Sequence, residues 1–118
     1  MRRNGILLAM FLAATAQAQP APETQAEVAR LLDYLQHSGC RFQRNGSWHD
    51  PTEARAHLER KYRYLLDKGM VDRTEDFIAR AATESSISGR PYLVRCGDGE
   101  PVPSAQWLGA ELRRLRSE

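Results

Sequence analysis

Cys40 and Cys96 are the only cysteines among the 118 residues, and what they can do depends on where the chain goes. Met1-Arg2-Arg3-Asn4-Gly5 is a short basic start, Ile6 to Ala14 is an apolar run, and Ala16-Gln17-Ala18 is a small-residue cleavage pattern. Residues 1–18 therefore read as a secretory signal peptide. In an oxidising compartment two cysteines pair by default, so a Cys40 to Cys96 disulfide is expected. In the chain-entropy model that loop contributes ~4 kcal/mol, a large fraction of the stability of a small domain. The spacing forms no CxxC, no haem-attachment CxxCH and no zinc quartet, so the cysteines predict a staple and not a cofactor.

The apolar run is about half the roughly 20 residues that a spanning helix needs, and no cysteine directly follows it to carry a lipid anchor. Cleavage after Ala18 leaves Gln19 to Glu118, one small domain with no transmembrane segment. Removing Arg2 and Arg3 takes Lys plus Arg from 17 to 15, against 15 Asp plus Glu. A near-neutral domain lacks the electrostatic footprint of phosphate-backbone binding, which argues against nucleic acid. Gln19 to Gln25, rich in Pro, Ala and Gln, reads as a flexible lead, with the folded domain over residues 26–118.

Val28, Leu31, Leu32 and Leu35 recur at helical spacing and place a first helix at about Thr24 to His37, stopped by Ser38-Gly39. Cys40 to Arg44 reads as a short strand ending in the turn dipeptide Asn45-Gly46. Asp50-Pro51-Thr52-Glu53 has an N-cap acid, a proline at the first helical position and a glutamate placed to reach back to the cap. Asp72-Arg73-Thr74-Glu75 repeats that logic before a third helix with Phe77, Ile78 and Ala81 on its core face. Pro91 to Cys96 is a second strand, residues 97–101 a loop, and Trp107, Leu108, Leu112 and Leu115 a closing helix. The predicted class is α+β: about four helices packed on a two-stranded antiparallel ribbon, strands near 40–44 and 91–96.

The cysteines set the register of that ribbon. Cα atoms of a non-hydrogen-bonded antiparallel pair lie about 4.5 Å apart, within disulfide range. With Cys40 opposite Cys96, Arg44 falls opposite Tyr92. Two segments far apart in sequence then converge on one polar corner at the other end of the ribbon, where the second helix begins.

The same two segments carry a resemblance. Phe42-x-Arg44-Asn45-Gly46-x-x-His49-x-x-x-Glu53-Ala54-x-x-His57-Leu58-x-x-Lys61, followed by Ser85-Ser86-Ile87-Ser88-Gly89-x-Pro91-Tyr92-x-Val94, is similar to the YfeK-like family of small secreted bacterial proteins of unknown function. The likeness covers roughly Leu31 to Val94. It implies an exported, periplasmic or secreted bacterial protein, and it supplies no catalytic residue.

Three chemistries compete for the corner. His49, Glu53 and His57 are metal-ligand types at intervals of four, but eight helical residues span ~12 Å against Zn–N bonds of about 2.1 Å. The plainer reading makes Glu53 part of the helix cap. Ser85 or Ser86 with His57 and Glu53 supplies the residue types of a hydrolase, without the flanking motif of a serine enzyme. A binding corner asks for less. Arg44 offers a fork to a carboxylate or phosphate, the backbone of Ser86 to Gly89 a concavity of donors, and Tyr92 a flat surface. The alternative is a structural network in which Arg44 pairs with Glu53.

The sequence thus predicts a non-enzymatic binding or envelope-interaction module whose partner is a small anionic ligand or an envelope protein. Its ligand-binding residues are Arg44, Asn45, His49, Glu53, His57, Ser85, Ser86 and Tyr92. A metal-dependent or serine-type hydrolase at the same corner is the runner-up.

Overall fold

A computed structural model of the protein describes Gly5 and residues 19–118; the leader expected over 1–18 lies, Gly5 apart, outside the described residues. Helix α1 spans Pro22–Gln36 and buries Thr24, Val28, Leu31, Leu32 and Leu35. Most of the expected flexible lead over 19–25 is therefore helical. Pro22 suits a first helical turn because its φ is preset and its missing N–H would have had no partner there. Two side-chain bonds tie the segment down: Thr24 donates to the carbonyl of Asp72 at 3.1 Å, and Gln25 to that of Pro20 at 2.8 Å.

Strands β1 (Arg41–Arg44) and β2 (Ser47–His49) form a hairpin around Asn45-Gly46. Both turn residues have positive φ, 51° and 81°, as a two-residue turn matched to strand twist requires. Helix α2 (Pro51–Asp67) follows, with the Asp50 carboxylate accepting from the Glu53 N–H at 2.8 Å. Helix α3 (Thr74–Ala81) comes next. Its cap differs from expectation: the Asp76 carboxylate, and not Asp72, accepts from the N–H groups of Asp72 and Arg73, each at 3.0 Å. Strands β3 (Leu93–Arg95) and β4 (Val102–Pro103) lead into α4 (Ser104–Arg116).

The protein is α+β, but the expected two-stranded ribbon is the middle of a four-stranded antiparallel sheet ordered β2-β1-β3-β4. Each ribbon strand gains a neighbour from its own return: β1 from the tight turn, β3 from the loop between Cys96 and Val102. At the centre, Arg41 faces Arg95, Phe42 faces Val94 and Gln43 faces Leu93. That is the register expected from the cysteines, and Cys40 and Cys96 are joined one step beyond it with Cα atoms 4.3 Å apart.

Helices α1, α2, α3 and α4 enclose a core whose largest fully buried side chains include Phe77, Leu31, Leu35, Leu108 and Val94. Trp107 stacks on Tyr34 at 4.7 Å and meets Phe42 edge-on at 5.6 Å, fastening α4 to α1 and the sheet. Arg116 forks to the carboxylates of both Glu27 and Glu75, joining α4 to α1 and α3. The hydrogen bonds from Arg116 are the main reason Glu75 titrates as low as about 2. With the disulfide at one end of the central ladder, the polar corner occupies the other.

Candidate functional site

Arg44 ends β1, and Tyr92 precedes β3 one register step past the last ladder pair. Helix α2 faces them with His57 and Lys61, which share one side because they are four residues apart. The four side chains form a hydrogen-bonded chain. Arg44 Nη1 meets His57 Nδ1, His57 Nε2 lies 2.9 Å from Tyr92 Oη, and Lys61 Nζ lies 3.2 Å from the same oxygen. Lys61 also donates to the backbone carbonyl of Glu84 at 3.0 Å.

Donor and acceptor chemistry orients every proton in this chain. A guanidinium can only donate, so Nδ1 of His57 accepts, and the neutral ring carries its hydrogen on Nε2. Tyr92 Oη then accepts from both His57 and Lys61. Burial, with help from the charges of Arg44, Lys61, Arg60 and His49, depresses His57 to about 4, so the ring is neutral at pH 7. Burial also lowers Lys61, against the pull of Glu84. It raises Tyr92, although the charge of Arg44 acts the other way, and the phenol keeps its proton.

The remaining valences are all donors. Arg44 has Nε and Nη2 to spare, Lys61 its third N–H, and Tyr92 its own O–H, whose two accepting positions are already filled. Neither Arg44 nor Lys61 has an ion-pair partner among the described residues. The Arg44 to Glu53 pair of the alternative structural network does not form. Glu53 accepts instead from His49 Nδ1 at 2.9 Å, so its carboxylate neither neutralises Arg44 nor reaches back to the helix cap.

Two spaces adjoin the chain, and Arg44, His49, His57 and Tyr92 line both. One is an open groove of about 610 Å³, completed by Asn45, Ser47, Lys61, Ser85, Ser86 and Ile87, with no carboxylate in its lining. The other is a cavity of about 30 Å³ between the sheet and α2, walled largely by Leu35, Phe42, Ala54, Leu58 and Leu93. Glu53 borders this cavity and not the groove.

The expected residues therefore converge, but not all in their expected roles. Ser85 is buried, and its hydroxyl accepts from the N–H groups of Ile87 and Ser88 at 3.2 and 3.3 Å. The Gly89 N–H bonds the Ser85 carbonyl at 2.9 Å. Those bonds close the loop on itself, so three of the four backbone donors expected over Ser86 to Gly89, those of Ile87, Ser88 and Gly89, are already engaged. Ser88 donates to Asn45 Oδ1 at 2.5 Å, clamping this loop to the hairpin. The recorded partners of His57 are Arg44 and Tyr92, and no serine is activated by it.

Among the described residues no three His, Cys, Asp or Glu side chains gather as a metal site; Nδ1 of His57 faces a cation and Nδ1 of His49 a carboxylate. Lys61 closes the first motif but is not among the residues expected to bind a ligand. Its signal was the spacing of four from His57.

The family model described as "Family of unknown function (DUF5329)" matches residues 22–116. A curated relative, "Uncharacterized protein YfeK" of Salmonella typhimurium (strain LT2), is 33% identical over 87 residues, covering 73% of this chain and 71% of the relative. The resemblance carried by the two motifs is thus to a family this chain matches along nearly its whole folded length. No solved structure matches the chain.

Proposed function

Because the chain belongs to this family of unknown function, we propose a role from the corner itself: an exported, non-enzymatic binding module that holds a small anion on Arg44, Lys61 and Tyr92. One observation carries the reading. Two half-buried cations meet at a neutral histidine and a protonated phenol, with no carboxylate within ion-pair reach. Half-burying positive charge that no ion pair compensates is unfavourable, even with the more distant pull of Glu84 on Lys61, and an anion that accepts from both cations relieves it. Export is supported by the basic, apolar and small-residue order of residues 1–18 and by the disulfide, since such bonds persist where thiols are not kept reduced. The hydrolase reading finds no support in Ser85, whose hydroxyl serves the loop, and the hydrogen-bond partners of His57 are Arg44 and Tyr92, not Ser86.

The test is an NMR titration of the mature, oxidised protein with acetate and with inorganic phosphate at constant ionic strength. Saturable shifts at Arg44 Nε–H and at the amides of Ser47, His57, Lys61 and Tyr92 are expected, and they should vanish in Arg44→Gln/Lys61→Gln. Shifts no larger than sodium chloride produces would refute the reading.

A further inference from the structure

We infer that the ligand is a carboxylate bearing a short alkyl group, its oxygens on Arg44, Lys61 and Tyr92 in the groove and its alkyl end in the cavity against α2. This rests on the anion reading and adds the substrate class.

The cavity supplies the argument. It is walled largely by Leu35, Phe42, Ala54, Leu58 and Leu93, with Gln43, Glu53 and Ser104 at its margins, and it meets the cationic groove along Arg44, His49, His57 and Tyr92. A ligand that touches the four shared residues has a donor-rich surface on one side and an apolar one on the other. Apolar cavities are poor hosts for water and good hosts for hydrocarbon. A cavity of about 30 Å³ has room for about one or two water-sized spheres, so it takes the end of a short alkyl group and not a long chain.

Charge favours a carboxylate over a phosphate. The ligand must shed water beside an apolar wall, and the desolvation of a monoanion costs less than that of a dianion. The donors match as well. The spare edge of the Arg44 guanidinium offers Nε and Nη2 as a fork to two carboxylate oxygens, leaving the Lys61 N–H and the Tyr92 O–H for their second lone pairs. Tyr92 is the specificity element. With His57 and Lys61 both donating to it, its proton is free only for an acceptor brought by the ligand.

The experiment is a calorimetric series of acetate, propionate, butyrate and hexanoate on the oxidised protein, with butylamine and butyl phosphate as controls. Each buried methylene should tighten binding about fourfold, so butyrate should bind roughly fifteen times tighter than acetate. Hexanoate should gain nothing further, and butylamine should not bind. Ala54→Met, which fills the cavity from α2, should erase the advantage of butyrate over acetate.

Equal binding of acetate, propionate and butyrate would overturn the alkyl assignment and leave the anion site standing. So would a butyrate advantage that survives Ala54→Met. Tighter binding of butyl phosphate than of butyrate would overturn the carboxylate. No binding of any anion would overturn both readings. The chain-length series is run on the natural sequence, so the inference stays falsifiable even if Ala54→Met fails to fold.

Discussion

Protonating His57 should weaken the fold, and the size of the effect follows from the hydrogen-bonded chain. The ring is held to about 4, first by burial and then by the charges of Arg44 and Lys61, against an ordinary value of 6.5. Between those values the unfolded chain binds the proton and the folded one resists it, so stability falls as pH drops from 6.5 toward 4. The contribution is complete above 6.5. A shift of this size corresponds to about 3 kcal/mol at full strength. Solvent screening of a ring only partly buried reduces this to about 1–2 kcal/mol.

The pH window isolates the ring. Glu75 titrates near 2 and Glu27 and Asp76 below their ordinary values, so these carboxylates cost stability only at pH values below about 4.5. Urea denaturation of the oxidised protein at pH 7.0, 5.5 and 4.5 should give the loss directly. His57→Gln keeps one acceptor for Arg44 and one donor for Tyr92 but does not titrate, so its stability should lose that portion of the pH dependence. If the two proteins lose stability in parallel from pH 7.0 to 4.5, the protonation assignment along Arg44, His57, Tyr92 and Lys61 is wrong.

Two further outcomes test the frame that holds the corner. Cys40→Ala/Cys96→Ala should lower the unfolding free energy by ~4 kcal/mol, measured by denaturant titration with and without reductant; a loss below about 1 kcal/mol would mean that the sheet register does not depend on the staple. Asp50→Ala removes the acceptor of the Glu53 N–H and should cost about 1 kcal/mol, whereas Glu53→Ala, whose carboxylate is largely exposed and bonds only His49 among its recorded partners, should cost well under that. Equal losses would restore Glu53 to the cap.

The register of the central strands was legible because a disulfide between strands admits few alignments, and Cys40 with Cys96 selected the one in which Phe42 faces Val94. The outer strands were harder to read. Ser47–His49 and Val102–Pro103 are three and two residues long, too short for alternation to show, although Asn45-Gly46 marked the turn that makes β2. The convergence of residues 44–57 with 85–92 followed from the register. The pairing within it did not. Spacing along α2 places Glu53 near both the cap and His49, and only the hairpin's return brings His49 close enough to take it. The serine loop deceived for a related reason, since composition shows how many donors a segment has and not which are already bonded to its own side chains.

The sheet is also bounded in a way that matters for a chain expected to be exported and to work among other proteins. Its outermost members, β2 and β4, are three and two residues long, and β4 includes Pro103, which has no N–H to donate to a neighbour. An exposed strand edge is a template for adding another chain, and short or proline-bearing edges are poor templates. The longest strand, β1, has both sides taken, by β2 and β3. A stray β-segment meeting this protein finds almost no ladder to extend, so the fold carries its own protection against edge-to-edge aggregation.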